Sequence, residues 1–459
     1  VPGESAFLSA ALAALARGGD RVLFHHDGPM TYREADALLR RLHGGLGEAG
    51  VVAVDLENRP EALLVPLAAM LRGARVLFVA ASAPRQAELA AAEAAGVTTV
   101  VTDRPEAWPA GDVRTVSDLL GQPAPVSLPG AVDVLFPSGG TTGAPKIIRH
   151  SGIYDGMAHI FAASPGEPER TLVVAPMTHL TGHASVVGGL LRGDKVVLHN
   201  GFAAGEVLAA IEEHRITALS LTPPRLAALL DHPARPRTRL DSVRALSLGA
   251  APLPPHRLAQ ALEVFGPVAG QGYGLTEAPM IASISAAELA GRPGRLGSVG
   301  RIVPGMEARI TEGEVEVRGL AMMDGYLGAP PVGEGWLPTG DLGRFDDEGY
   351  LYLSGRADDV VIVGEHGTKI APSTVEDAIA GHPAVRAVAV FGVPGEDGPS
   401  LHAVVVAEGV GAEEIRTRAR AVFGREHYVP ATVEFADSLP LTGIGKVDKR
   451  ALRAVFGVD

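Results

Sequence analysis

The chain has 459 residues, 46% of them hydrophobic and 20% charged, a formal net charge of −13 and no cysteine. That length buries large cores and predicts two or more domains. The acidic balance excludes a global basic footprint for nucleic acid or anionic membrane, and the lack of cysteine excludes disulfides and thiolate metal sites and fits a reducing cytosol, so the expectation is a cytoplasmic protein.

The first twenty residues, VPGESAFLSAALAALARGGD, follow an amphipathic helical pattern without a basic leading region, so they do not read as a signal peptide. The most apolar stretch, ALLVPLAAMLRGARVLFVAA, is interrupted by Pro66, Arg72 and Arg75 and falls short of a membrane span. From about 130 to 280, short β-branched runs alternate with helical patterns: VDVLF, then TLVVAP, KVVLH before GEVLAAIEEHR, ITALSLTP before PRLAALLDH, and VRALSLGA before PHRLAQALEVFG. Strand–helix alternation predicts an α/β fold of parallel or mixed sheets flanked by helices, with its site at the carboxyl ends of the strands. From about 297 the period changes to two, which predicts an antiparallel β-rich subdomain. Beyond 356 a compact α+β pattern follows, with Pro372 at the first position of a helix. We therefore expect a large N-terminal domain, 1–355, and a small α+β C-terminal domain, 356–459.

After the run VDVLF comes SGGTTGAPK, residues 138–146. Glycines and hydroxyl residues in succession make a poor helix and a poor strand, but a loop with free N–H groups that can wrap an anion. It is no Walker loop, because Lys146 follows Pro145 and precedes Ile147. By itself it supports either a solvated turn or a phosphate cradle.

Four further stretches follow in order: GYGLTEA (272–278), TGD (339–341), GRADD (355–359) and LPLTGIGKVDKR (439–450). Together with SGGTTGAPK they resemble the signature set of the adenylate-forming superfamily, which includes acyl- and aryl-CoA ligases, peptide-synthetase adenylation domains and luciferases. The resemblance runs over nearly the whole chain. It implies an AMP-forming ligase that joins a carboxylic acid to ATP, releases pyrophosphate and passes the acyl group to a nucleophile.

The resemblance also implies roles. Ser138, Thr141, Thr142 and Gly143, with Lys146, match the loop around the β- and γ-phosphates. Thr276 would reach the α-phosphate, and Glu277 would hold Mg²⁺. Gly272 and Tyr273 match the wall beside adenine, although a lone tyrosine is also ordinary core packing. Asp341 matches the acceptor of the ribose hydroxyls, and Arg356 a second ribose or phosphate contact or, alternatively, a surface ion pair. Lys446 matches the lysine that bridges the attacking carboxylate and the α-phosphate. A unit charge at about 4 Å and an effective dielectric of about 20 contributes roughly 4 kcal/mol. Lys449 and Arg450 read as a solvated basic run. Asp358 matches a hinge. Gly364 and Gly367 match the loop that lines the acceptor tunnel.

In HLTGH (179–183) the two histidines have the spacing of a helical metal pair, but the glutamate of a zincin helix is missing. His179 matches the position that orients the acid, and His183 reads equally as structural. Amino-acid adenylation domains carry an aspartate near Met177–His179, so an acyl or aryl acid is expected, with a pocket wall from His179 through 249–252 to Met280. CoA is the expected acceptor. The departure Glu365–His366 between the paired glycines leaves a free amine, as in an amide synthetase, or a separate carrier protein as alternatives. A binding protein on a dead enzyme fold is the other class; the intact charged positions argue against it.

Overall fold

The structure is a computed structural model that describes residues 4–79, 83–109, 111–130, 132–137, 146–161, 167–363, 368–395, 398–442 and 445–455. Among these residues the chain builds two large sheets. A seven-stranded sheet contains the parallel strands Val51–Asp55, Arg75–Phe78, Thr99–Thr102 and Val134–Pro137, and a nine-stranded sheet contains Arg170–Val173, Lys195–Leu198, Ala218–Leu221, Ala245–Gly249 and Ala269–Tyr273. Both are mixed. Val134–Pro137 pairs antiparallel with Ile147–His150, a strand not foreseen from the short run IIRH, and Ala269–Tyr273 pairs antiparallel with Ala282–Ile284.

One large core joins the inner faces of the two sheets. It contains Val54, Phe78 and Phe136 of one sheet, Phe24, Val173 and Val196 of the other, and the helices Ala6–Gly18, Tyr32–Leu46, Glu61–Leu71 and Leu180–Arg192 between them. Ser5 and Thr31 cap Ala6–Gly18 and Tyr32–Leu46, whereas Glu61–Leu71 is apolar on nearly every face and lies buried in this core. At Thr31 a capping box ties the Thr31 and Glu34 groups to each other's N–H groups. On the far side of the nine-stranded sheet, Leu219, Leu246 and Leu248 pack against the helices Ala204–Glu213, Pro223–Leu230 and Pro255–Phe265. Burying both faces is what near-continuous apolar strands require.

The period-two region folds as expected into an antiparallel four-stranded sheet of Met306–Thr311, Glu314–Gly319, Leu337–Phe345 and Leu351–Arg356. The last part of the chain has its own cores. Its strands Val385–Val393, Ser400–Ala407 and Thr432–Phe435 form a three-stranded sheet, with the helices Pro372–Ala380 and Ala412–Phe423. Among the described residues no helix is long and apolar enough to cross a membrane.

Candidate functional site

The site lies at the carboxyl end of Ala269–Tyr273, where the nine-stranded sheet, the four-stranded sheet and the C-terminal part converge. Gly249 and Gly272 face one another in register on parallel strands, and a Cβ on Gly249 would come within 2.6 Å of the Gly272 carbonyl oxygen. The next residue, Ala250, has a left-handed φ of 66°, an uncommon conformation for alanine that marks local strain at the pocket wall.

Tyr273 stands at the end of its strand, and its hydroxyl donates to Asp341 Oδ2 at 2.6 Å. Arg356, at the end of the strand paired with that of Asp341, donates to Asp341 Oδ1 at 3.3 Å and to the Thr339 carbonyl at 2.9 Å. Gly340 makes room for this: its φ is 74°, and a Cβ there would lie 2.6 Å from the Arg356 guanidinium. Burial raises the Asp341 carboxyl above its ordinary range, against the lowering effects of Tyr273, Arg356 and Lys446. Burial, with the Asp341 charge, raises Tyr273 as well.

Lys446 enters this group from a hairpin. Leu441 pairs antiparallel with Val447, and the Lys446 N–H donates to Thr442 Oγ1 at 3.2 Å. The hairpin docks on the large sheet's helix start: Thr222 Oγ1 donates to the Gly445 carbonyl at 3.1 Å. Burial lowers the Lys446 ammonium from its ordinary range, while the Asp341 charge opposes that shift. His179, the residue before helix Leu180–Arg192, is pushed down to about 4 by burial and by the Lys446 charge, so its ring is neutral near pH 7.

A second group sits beside it. Glu277 Oε1 accepts from the Tyr326 hydroxyl at 3.0 Å, and Lys146 Nζ lies 5.1 Å from the centroid of the Tyr326 ring. Burial and the Glu277 charge push Tyr326 up to about 12. His150 Nε2 donates to the Thr276 carbonyl at 2.7 Å, which fixes the TE pair against the strand Ile147–His150. Among the described residues Glu277 Oε2 has no hydrogen-bond partner, and no cluster of three metal-ligating side chains occurs. That donor set fits Mg²⁺, which keeps most of its waters and takes one or two carboxylates beside phosphate oxygens.

The structure therefore brings together Lys146, His179, Gly272, Tyr273, Thr276, Glu277, Asp341, Arg356 and Lys446. Asp358 lies at the edge of the same cleft, with Oδ1 accepting from Arg356 Nε at 3.2 Å. Ser138, Thr141, Thr142, Gly143, Gly364 and Gly367 lie outside the described residues. His183 lies in the core against Phe78 and Tyr154, its pKa pushed down to about 3 by burial. Lys449 corrects the reading of a solvated basic run. It makes an ion pair of 2.9 Å with Glu376, whereas Arg450 is exposed. Tyr326, His150 and Thr222 were missed because each belongs to a stretch without a motif, and only pairing across the fold places them here.

Residues 12–327 match the AMP-binding enzyme family, and residues 374–446 match the AMP-binding enzyme C-terminal domain. The chain is 33% identical to a feruloyl-CoA synthase of Amycolatopsis sp over 97% of this chain and 90% of that protein. It is similar to the solved amide bond synthetase McbA from Marinactinospora thermotolerans, with 31% identity, a TM-score of 0.86, and 98% and 100% of the two chains covered. It is also similar to o-succinylbenzoate coenzyme A synthetase (MenE) from Bacillus subtilis in complex with ATP and magnesium ion, with 25% identity, a TM-score of 0.82, and 98% and 99% covered.

Proposed function

The chain belongs to the AMP-binding enzyme family of adenylate-forming ligases, and on that premise we propose that it activates an acyl or aryl carboxylic acid with ATP and transfers the acyl group to the thiol of CoA. In the first step a carboxylate oxygen of the acid attacks the α-phosphorus, the bond to the β-phosphate oxygen breaks, and pyrophosphate leaves. In the second the thiol sulfur takes the acyl carbon, AMP leaves, and the thiol proton is lost.

The single observation that carries this reading is the enclosure of Lys446 beside Asp341 and His179 at the end of Ala269–Tyr273. Two anions must meet in the first step, so a preorganised positive charge in a water-poor site is what lowers the barrier. Lys446 would supply it between the carboxylate and the α-phosphate. Asp341 would accept from the ribose hydroxyls, held in place by Tyr273 and Arg356. Thr276 would hold the α-phosphate, and Lys146 with the loop from Ser138 through Thr141, Thr142 and Gly143 the outer phosphates. Glu277 would hold Mg²⁺, whose charge offsets that of the phosphates. His179, neutral near pH 7, would orient the incoming carboxylate by hydrogen bonding rather than by charge.

We further infer that the chain divides into 1–355 and 356–459 about a hinge at Asp358. One cleft has to serve two steps, and the docked Lys446 hairpin would be withdrawn to admit the acceptor, with the loop through Gly364 and Gly367 taking its place. The likeness to an amide bond synthetase over the whole chain supports a second reading, in which the acceptor is an amine and the product an amide. ATP–pyrophosphate exchange over a panel of acids tests the first step. Product analysis with CoA and with simple amines then separates the acceptors.

A further inference from the structure

The hairpin that carries Lys446 returns directly into the helix Lys449–Val455. Its two arms are closed by the Leu441–Val447 pairing and by the Asp448 N–H donating to the Pro440 carbonyl at 2.8 Å. The helix is seated by Leu452, which packs in the core with Ala389, Phe391 and Leu439. That apolar contact holds the helix onto its sheet but does little to fix its rotation, because a hydrophobic contact is non-directional.

Rotation is fixed by two cations one turn apart, at the first and fifth residues of the helix. Lys449 Nζ lies 2.9 Å from Glu376 Oε1 and 3.8 Å from Asp359 Oδ2, and Arg453 lies 3.8 Å from Asp359 Oδ1. The Glu376 carboxylate is itself held, since its Oε1 accepts the Val390 N–H at 2.7 Å. The side chains of Lys449 and Glu376 are only 25% and 16% exposed, so the pair is sheltered from the solvent that makes surface pairs weak. Glu376 belongs to the helix Pro372–Ala380, and Asp359 is the neighbour of Asp358.

We propose that Lys449 is a positioning residue for Lys446. By joining the return arm of the hairpin to Glu376 and Asp359, it makes the lysine hairpin and the segment beside the hinge move as one body. The proposal rests on the reading of Lys446 given above. Its energetic content is placement. A misplacement of about 1 Å at a reacting group costs up to about 100-fold in rate, more than the fold stability of one partly buried ion pair would suggest.

The test uses the full chain and ATP–pyrophosphate exchange with an accepted acid. Lys449→Ala is expected to lower kcat about 10- to 100-fold with the KM for ATP near wild type, in assays run well below its thermal midpoint, which falls because Glu376 loses its cation. Lys449→Arg is expected to restore most of the rate, because a guanidinium spans both carboxylates. Glu376→Gln, which keeps an acceptor for Val390 while removing the charge, is expected to match Lys449→Ala. In the background of Lys446→Ala, adding Lys449→Ala should cost nothing further, since a residue that acts through another is non-additive with it. Wild-type exchange in Lys449→Ala, failure of arginine to rescue it, a loss no larger than the unfolded fraction at the assay temperature accounts for, or full additivity with Lys446→Ala each overturn the proposal. If Lys446→Ala itself retains exchange, the reading of Lys446 fails instead, and the two failures are distinguishable.

Discussion

Thr222 and Gly445, 223 residues apart, are joined by a hydrogen bond of 3.1 Å from the Thr222 hydroxyl to the Gly445 carbonyl. It fastens the tip of the lysine hairpin to the start of helix Pro223–Leu230. Gly445 has a φ of 77°, and a Cβ there would lie 2.8 Å from Arg225 and 2.9 Å from Thr222. A net hydrogen bond is worth about 0.5–1.5 kcal/mol, so Thr222→Ala is expected to slow adenylation about 2- to 10-fold. Gly445→Ala, which adds a clash and backbone strain, should slow it more. Acid-dependent pyrophosphate exchange measures the first step, and transfer from preformed acyl-adenylate measures the second. Equal slowing of both steps would show that the contact does not belong to the adenylating arrangement.

Lys446→Ala is expected to lose exchange by roughly 10²–10⁴ while ATP still binds, because the charge acts in the transition state. Burial holds the ammonium below its ordinary value of 10.5. Deprotonation on the basic side therefore begins earlier than for an exposed lysine, and kcat/KM for adenylation should fall as pH rises through a value below 10.5. Lys446→Arg should remove that limb. An unchanged basic limb in the arginine variant would assign it to another group.

Glu277→Gln keeps the acceptor for Tyr326 but removes the charge. The Mg²⁺ concentration needed for half-maximal exchange is expected to rise in this variant, with little change in thermal midpoint. Superimposable Mg²⁺ titrations of the two proteins would place the ion elsewhere.

Asp358→Pro fixes φ near −65° at the proposed hinge. Adenylation is expected to survive and acyl transfer to fall sharply, read as adenylate that accumulates or hydrolyses without thioester or amide. Equal loss of both steps would mean that the proline disturbs the fold rather than the hinge.

His179 has its folded pKa near 4, below the ordinary 6.5, through burial and the Lys446 charge. A depressed histidine favours folding in its neutral form. That contribution is present above pH 6.5 and is lost as pH falls toward 4. The thermal midpoint of the wild type should therefore drop over this window, and His179→Phe should drop less. Buried His183, near 3, acts in the same direction and sets the remaining slope in both proteins. Parallel curves would contradict the enclosure of His179.

Much of this was legible in order along the chain. The strand–helix alternation from 130 to 280, the switch to period two near 297 and the helix opened by Pro372 all follow from local pattern, because side-chain periodicity and proline geometry act within a few residues. The motifs SGGTTGAPK, GYGLTEA, TGD, GRADD and GIGKVDKR were legible in another way, as a set in fixed order that resembles the adenylate-forming superfamily; taken singly, local pattern gives two domains and an anion loop.

What only the tertiary structure decided is how these pieces meet. Tyr273 and Asp341 share a hydrogen bond although 68 residues separate them, and Glu277 meets Tyr326 across 49. Lys449, which reads locally as one more charge in a basic run, is drawn out of solvent by Glu376 and Asp359. Sequence spacing carries no information about such pairs, because burial and Coulomb attraction act through space once sheets and hairpins have folded. A lysine is a solvated point charge or a clamp according to the carboxylates that the fold sets beside it.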